Sequence, residues 1–395
     1  MKPKLLFCNV DVDTDLTSGR SARQRQSCLD ARFYFLPCGG PDDRIILDAA
    51  APESYRSYLS GLGLGLPREC AEGEGLPGHA AFPWGWSRSA IDRFRRHGAH
   101  LHHPPLEAVR AVNNRRFCHE TARRHGLGLE GAVLCPSAAE ARAHVRASRT
   151  FPLVLKPEHG NAGIGLVLLE STEEAEGVAV DRPFSHPGSS AVIEPWVDRS
   201  ADLSSRMELD RSGRVVALTH HRALVNRAGV YFGNLLLPED PLIAGWRRRM
   251  EEGAAIVARE LHAAGYFGPA GLDWIVHTAG GRESCVLVDI NARQPMSLLA
   301  YSLRARLAPG RPCLLLFAPR RRYPALTDYT SWRRRLGKYA FDPGSGTGIL
   351  LFTPLSYAAG GLDYRPLRHG FFIAAKTAEE IGEHDRYLRK AFTED

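Results

Sequence analysis

Gly271-Leu272-Asp273-Trp274-Ile275-Val276, followed by Val286-Leu287-Val288-Asp289-Ile290-Asn291-Ala292-Arg293, is the stretch on which the reading of the fold turns. Both segments are apolar and β-branched enough to be strands, and the intervening Thr278-Ala279-Gly280-Gly281 supplies a turn. Each strand nevertheless carries an acid, Asp273 at a strand start and Asp289 at a strand end. Because side chains alternate faces along a strand, Asn291 points the same way as Asp289. Two carboxylates and one amide oxygen are hard ligands that suit Mg²⁺ shared with nucleotide phosphates, with Mn²⁺ as an alternative ion. A purely structural role is the alternative for these three residues.

Upstream, from Phe151, strand-like runs follow one another: FPLVLKPE, GLVLLES, SAVIEPWV, RMELD and RVVALTHHRAL. Asp210-Arg211-Ser212-Gly213 is a turn between the last two, which predicts antiparallel pairing. Lys156 closes the first run and is followed at once by a loop containing Gly160, Gly163 and Gly165. An ammonium beside backbone N–H groups that no Cβ shields is what phosphates require. The spacing is not that of a Walker loop, and glycines turning a hairpin beside a surface lysine would give the same letters. Glu194, with Trp196 and Val197 after it, places an acceptor and backbone groups at the end of an apolar strand, an arrangement that suits an adenine ring.

A chain of 395 residues exceeds one ordinary core, so two or three packed units are expected. With 44% hydrophobic and 24% charged residues it should fold, and no apolar run is long enough to cross a bilayer. The acidic turn soon after the start does not continue into a signal-peptide core, so a cytoplasmic location is expected, with no membrane partner. The eight cysteines form no Cys-x-x-Cys pair, which argues against a zinc site and for reduced thiols. The net charge of +7 comes largely from short arginine runs, 247–249, 320–322 and 333–335. They read as solvated faces or as a dock for an anionic substrate or acidic protein, without the signatures of a nucleic-acid binder.

KLLFCNV, RFYFLPCGG and RIILDAAAP are apolar runs ending in turns and open the chain as α/β. A boundary is expected near residue 105, then one helix from Leu106 towards His125 that stops at Gly126. A longer helix carries Trp246, Met250, Val257 and Leu261 on one face. The expected organisation is an N-terminal α/β domain over 1–105, a core over 106–310 with a small lid near 140–200, and a mixed C-terminal domain over 311–395.

Taken in order, these elements resemble the ATP-grasp superfamily across roughly residues 106–310, and the resemblance implies its α/β (α+β) fold. It implies that Lys156 and the glycine loop hold the phosphates of ATP, Glu194 the adenine and Asp202, eight positions on, a ribose hydroxyl. Asp273, Asp289 and Asn291 match the family's Mg²⁺ ligands, and Arg293 matches an arginine that steadies the transferring phosphoryl group or the substrate carboxylate. Three departures stand out. Asp289 replaces a customary Glu; Arg115 stands where a lysine is usual; and Gly271-Leu272 replaces a basic residue before the first acid, which makes Arg222 the candidate for that charge. The terminal regions, with LFCNV, Pro83-Trp84-Gly85-Trp86-Ser87, TGILLFTP and GFFIAAKTAEEI, resemble natural-product peptide ligases of the pheganomycin type. Trp84 and Trp86 are either core or the lining of a substrate entrance.

The resemblance further implies an ADP-forming ligase in which a carboxylate becomes an acylphosphate and is joined to an amine. The alternative acceptor is the thiol of an acidic carrier protein, and the rival outside catalysis is a regulatory nucleotide binder. A homodimer is expected. The segment from His220 to Asn234 matches the family's closing lid, and His220 or His221 is expected to take the nucleophile's proton unless both are merely packed or solvated.

Overall fold

The computed structural model describes residues 2–10, 12, 22–71, 73–158, 165–184, 188–323 and 326–392. The chain divides into two compact units, Met1–His103 with Phe232–Asp240 and Met296–Asp395, and Pro104–Tyr231 with Pro241–Pro295.

In the first unit, Lys4–Phe7 lies between Arg44–Ile45 and Ala80–Pro83 in a parallel sheet whose outer strand is Arg68–Glu69. Asn9, just past the first strand, is buried, and its side chain accepts from the Trp84 and Gly85 N–H groups while donating to Gly85 O. Both tryptophans are therefore core: Trp84 tilts against Phe35 and Trp86 packs edge-on to Phe94, which removes the entrance reading. The last part of the chain adds an antiparallel set in which Cys313–Pro319 pairs with Arg368–Ala374, and that strand with Gly348–Leu351. Gly370 is required there, because a Cβ would fall inside the Phe352 ring. Tyr55 Oη donates to Phe352 O at 2.5 Å, tying the early helix Glu53–Ser60 to this late strand set. The arginine runs 320–322 and 333–335 are exposed, whereas Trp332 between them is buried.

The second unit begins with two helices, Leu106–Val112 and Arg115–Arg124, rather than the single one expected. The break falls at Asn113-Asn114, whose short polar side chains compete with the backbone for hydrogen bonds. Asn114 caps the second helix by accepting from Arg116 N at 2.8 Å. A small antiparallel sheet follows in the order Val133–Cys135, Ala191–Pro195, Leu153–Pro157, Val167–Leu169. Alternation splits it cleanly. Leu153, Leu155, Ala191 and Ile193 pack on Ala141 and Val145 of the helix Ala138–Ala147, which leaves Val154, Lys156, Val192 and Glu194 on the other face.

The larger sheet of this unit is antiparallel in the order Arg282–Asn291, Gly268–Ala279, Arg199–Leu209, Val215–Val225. Gly280 and Gly281 have φ of 56° and 79° respectively, as a tight hairpin demands. The helix Pro241–Ala263 covers one face, and Gly253 is the contact point, since a Cβ there would overlap the Trp274 indole. The 199–209 strand begins well before the RMELD run, because Asp202, Ser204, Arg206 and Glu208 alternate with Leu203, Ser205, Met207 and Leu209. The apolar set, with the buried Ser205, is the helix-covered face; the polar set lies opposite.

Candidate active site

That polar face collects the predicted acids. Asp273 is the register partner of both Asp289 and Ser204, so the three side chains share one side of three adjacent strands. A bulge at Asp273/Trp274 in this pairing lets Asp289 and Asn291 stay on that side to the end of their strand. Ser204 Oγ donates to Asp273 Oδ1 at 3.0 Å, Asn291 Nδ2 donates to Asp273 Oδ2 at 3.0 Å, and Arg293 Nη1 donates to Asn291 Oδ1. Burial first, and then the facing Asp289 charge, push Asp273 up to about 7.

These donors fit a divalent cation on chemical grounds. Two carboxylates forced together repel, a cation removes the repulsion, and all the donor atoms are hard oxygens. Among the described residues no group of three or more His, Cys, Asp or Glu could hold an ion by itself, so a Mg²⁺ at Asp273 and Asp289 would take Asn291, phosphate and water as its further ligands.

Lys156 Nζ lies 2.5 Å from Glu194 Oε2, both largely buried. Glu194 is thus paired with Lys156. The two sets converge. The buried Cys118 thiol is pushed up by burial foremost and further by the Asp289 and Glu194 charges, with Lys156 and Arg115 opposing. Arg115 also donates to Pro157 O at 2.7 Å, against the end of the Lys156 strand. A cavity of about 300 Å³ beside them is lined by Arg115, His119, Val192, Glu194, Leu287 and Val288. Gly165 has φ 83° and sits against Pro157, a position only glycine takes easily. Gly160 and Gly163 lie outside the described residues.

Asp202 lies on the acid face, with its carboxylate 3.1 Å from Arg199, whose guanidinium stands 5.0 Å over the Trp196 ring. Trp196 N donates to Pro152 O, and Val197 follows in a half-buried connection. The paired histidines separate. His221 is opposite Ser204 and joins the acid face, but His220 is opposite Ser205 and accepts or donates at 2.9 Å to its hydroxyl under the covering helix. Burial, with Arg247 adding, lowers the His220 pKa. Arg222, opposite Leu203, is likewise on the helix side, so it cannot replace the missing basic residue. Arg206 can: it is opposite Gly271 on the acid face, and its buried Nε has no hydrogen-bond partner among the described residues. Sequence reasoning missed it because only register shows its side. The expected lid is, from Asn226 to Val230, a tight turn held by Asn226 Oδ1 on the N–H groups of Ala228 and Val230.

No family model matches the sequence. The phosphoribosylamine–glycine ligase of Chlorobaculum tepidum is 33% identical over 111 residues, 27% of this chain; the match spans only 26% of that relative's length. Among solved structures, N5-carboxyaminoimidazole synthetase of Staphylococcus aureus complexed with ADP superposes with a TM-score of 0.58 at 10% identity, covering 98% of both chains. The biotin carboxylase domain dimer of Hydrogenobacter thermophilus 2-oxoglutarate carboxylase, with MgADP, ADP and bicarbonate, gives 0.56 at 11% identity over 98% of this chain and 89% of that one. At such identity the likeness speaks for architecture, and it spans nearly the whole chain: the protein has the ATP-grasp fold, with an N-terminal parallel α/β sheet and antiparallel sheets after it.

Proposed function

We propose that this chain is an ATP-dependent, ADP-forming ligase that activates a carboxylate as an acylphosphate and transfers the acyl group to an amine. The observation that carries the reading is that Asp273 faces Asp289 across the larger sheet, while Lys156 is paired with Glu194 at the wall of a cavity that Arg115 and Val288, the neighbour of Asp289, also line. A site with cations at one side and paired acids at the other matches a nucleotide triphosphate and its metal ion. Mg²⁺ bound by Asp273, Asp289 and Asn291 would supply charge neutralisation at the phosphates.

The chain's own residues position and neutralise. Lys156 and Arg115 bind phosphate oxygens, and the cavity beside Glu194 takes the adenine. The substrate carboxylate attacks the γ-phosphorus, the bond to the bridging oxygen breaks, and ADP leaves. Arg293 and Arg206 offset the charge of the reacting groups, each such donor being worth about 3 kcal/mol. The amine then attacks the acyl carbon, His221 accepts its proton, and phosphate departs with its electron pair. An amino acid or peptide carboxylate is the finer reading and rests on the terminal regions' likeness to peptide ligases. A homodimer belongs to the same proposal.

The test is ADP and phosphate release across a panel of amino acids, with amines and carrier proteins offered separately. Release that needs both a carboxylate and an amine, with an amide as product, is expected. An acylated carrier formed while free amines give nothing would replace the acceptor, and ATP turnover indifferent to carboxylates would remove the reading.

A further inference from the structure

Asn113 lies in the break between the first two helices of the second unit, and one of its amide hydrogens goes to Val109 O at 2.9 Å, as a helix-end cap would. The rest of the amide is used elsewhere. Its Oδ1 accepts from Ala292 N at 2.8 Å and its Nδ2 donates to Ala292 O at 3.2 Å, across 179 residues of sequence. A side-chain amide paired with both polar groups of one residue fixes that backbone in place and orientation, much as a strand neighbour would. Ala292 is the residue between Asn291 and Arg293, and it comes just after the strand's ladder has ended.

The next two residues grip the other side of the site. Asn114 Nδ2 donates to Glu158 Oε1, and Arg115 donates from its backbone N to Glu158 O at 3.0 Å and from Nη1 to Pro157 O at 2.7 Å. Lys156 precedes this pair directly. Three consecutive residues therefore hold the end of the Lys156 strand and the end of the Asp289 strand at a set separation.

We infer that Asn113 is a positioning residue which, through the backbone of Ala292, aims Asn291 and Arg293 at the cation and phosphate site. The inference rests on the function proposed above. A plain helix cap would need only the bond to Val109, and the pairing with Ala292 would then be incidental. As a positioning role, it acts on groups one bond removed from the metal ligands, where loss of support costs metal affinity about 10- to 100-fold.

The experiment measures Mn²⁺ binding by electron paramagnetic resonance in the presence of ADP, and ADP binding without metal, for the native chain, Asn113→Ala and Asn113→Asp. Asn113→Ala should weaken Mn²⁺ binding at least about tenfold while metal-free ADP binding moves less than about twofold. Asn113→Asp, which keeps the acceptor for Ala292 N–H, should fall between. Hydrogen exchange over 288–295 should speed up in Asn113→Ala while the 153–157 strand stays protected. If Asn113→Ala folds and binds Mn²⁺ as the native chain does, the inference is overturned and the proposed function stands. If Asn113→Ala does not fold, Asn113→Asp decides: weakened Mn²⁺ binding with faster exchange over 288–295 and unchanged metal-free ADP binding supports the inference, and native Mn²⁺ binding overturns it. If the native chain itself binds neither ADP nor Mn²⁺, the proposed function fails and takes the inference with it.

Discussion

Asp273 and Asp289 face each other as register partners on neighbouring antiparallel strands, and Asp273 is bonded on both its oxygens, by Ser204 and by Asn291. The pairing is costly without a cation. An acid whose pKa rises from 3.8 to about 7 on folding keeps its proton in the folded chain while the unfolded chain has lost it. Stability should therefore fall as pH rises through that window and stay low above it. Asp273→Asn should stabilise the metal-free chain at pH 8 by about 1–2 kcal/mol, with the gain vanishing towards pH 4. Thermal unfolding of both forms across that range checks this, and Mg²⁺ with ADP should raise the melting temperature of the native chain but scarcely that of the variant. A gain that does not vary with pH would contradict the assignment.

The Lys156–Glu194 pair makes a prediction of a different kind. Glu194→Gln leaves Lys156 largely buried without its counter-charge, a loss of about 3 kcal/mol for pairs of this sort. ATP phosphates can return that counter-charge, so ATP should stabilise Glu194→Gln more than the native chain. Lys156→Met should keep the fold and lose about a hundredfold or more in turnover. Calorimetric unfolding with and without ATP, alongside ADP release, measures both.

Register separates His220 from His221, its neighbour in sequence, and Arg206 from Arg222 on the adjoining strand. His221→Ala should cost about a hundredfold in kcat and flatten the pH profile, whereas His220→Ala should leave kcat/KM within about threefold. Arg206→Ala should lower turnover by about tenfold or more, and Arg222→Ala should not. Steady-state kinetics on the four variants is sufficient, and equal losses for His220 and His221 would mean that the helix-covered face takes part.

Much of this site could be read locally. The acids, the amide two residues on and the Gly280-Gly281 hairpin depend only on alternation and turn chemistry, which neighbouring letters encode. The order of Lys156, Glu194 and the acids along the chain carried the fold for the same reason. The side on which His220 and Arg222 fall depends instead on pairing with a separate strand, and Trp84 and Trp86 owe their burial to Phe35, Phe94 and Asn9 elsewhere in the chain. Asn113-Asn114 lowers helix propensity only slightly on paper; its true partner, Ala292, is invisible without the fold.

In the first unit, Arg306 donates to the carbonyls of Pro37, Gly39 and Gly65, gathering three loop carbonyls that have no strand partner of their own. Arg306→Met should preserve the stem and lose the fork, destabilising the chain by about 2–4 kcal/mol. Denaturant unfolding reports the change. A loss under about 0.5 kcal/mol would mean that water replaces the guanidinium without cost.

The central claim is that the substrate carboxylate attacks the γ-phosphorus of ATP, and oxygen tracing tests it most directly. A carboxylate substrate labelled with ¹⁸O on both oxygens, identified from the release panel, is incubated with ATP, Mg²⁺ and the amine, and the released phosphate is analysed by mass spectrometry. One ¹⁸O per phosphate, in step with ADP and amide formation, is the expected result. Unlabelled phosphate, or label appearing in AMP, would contradict acylphosphate chemistry at this site.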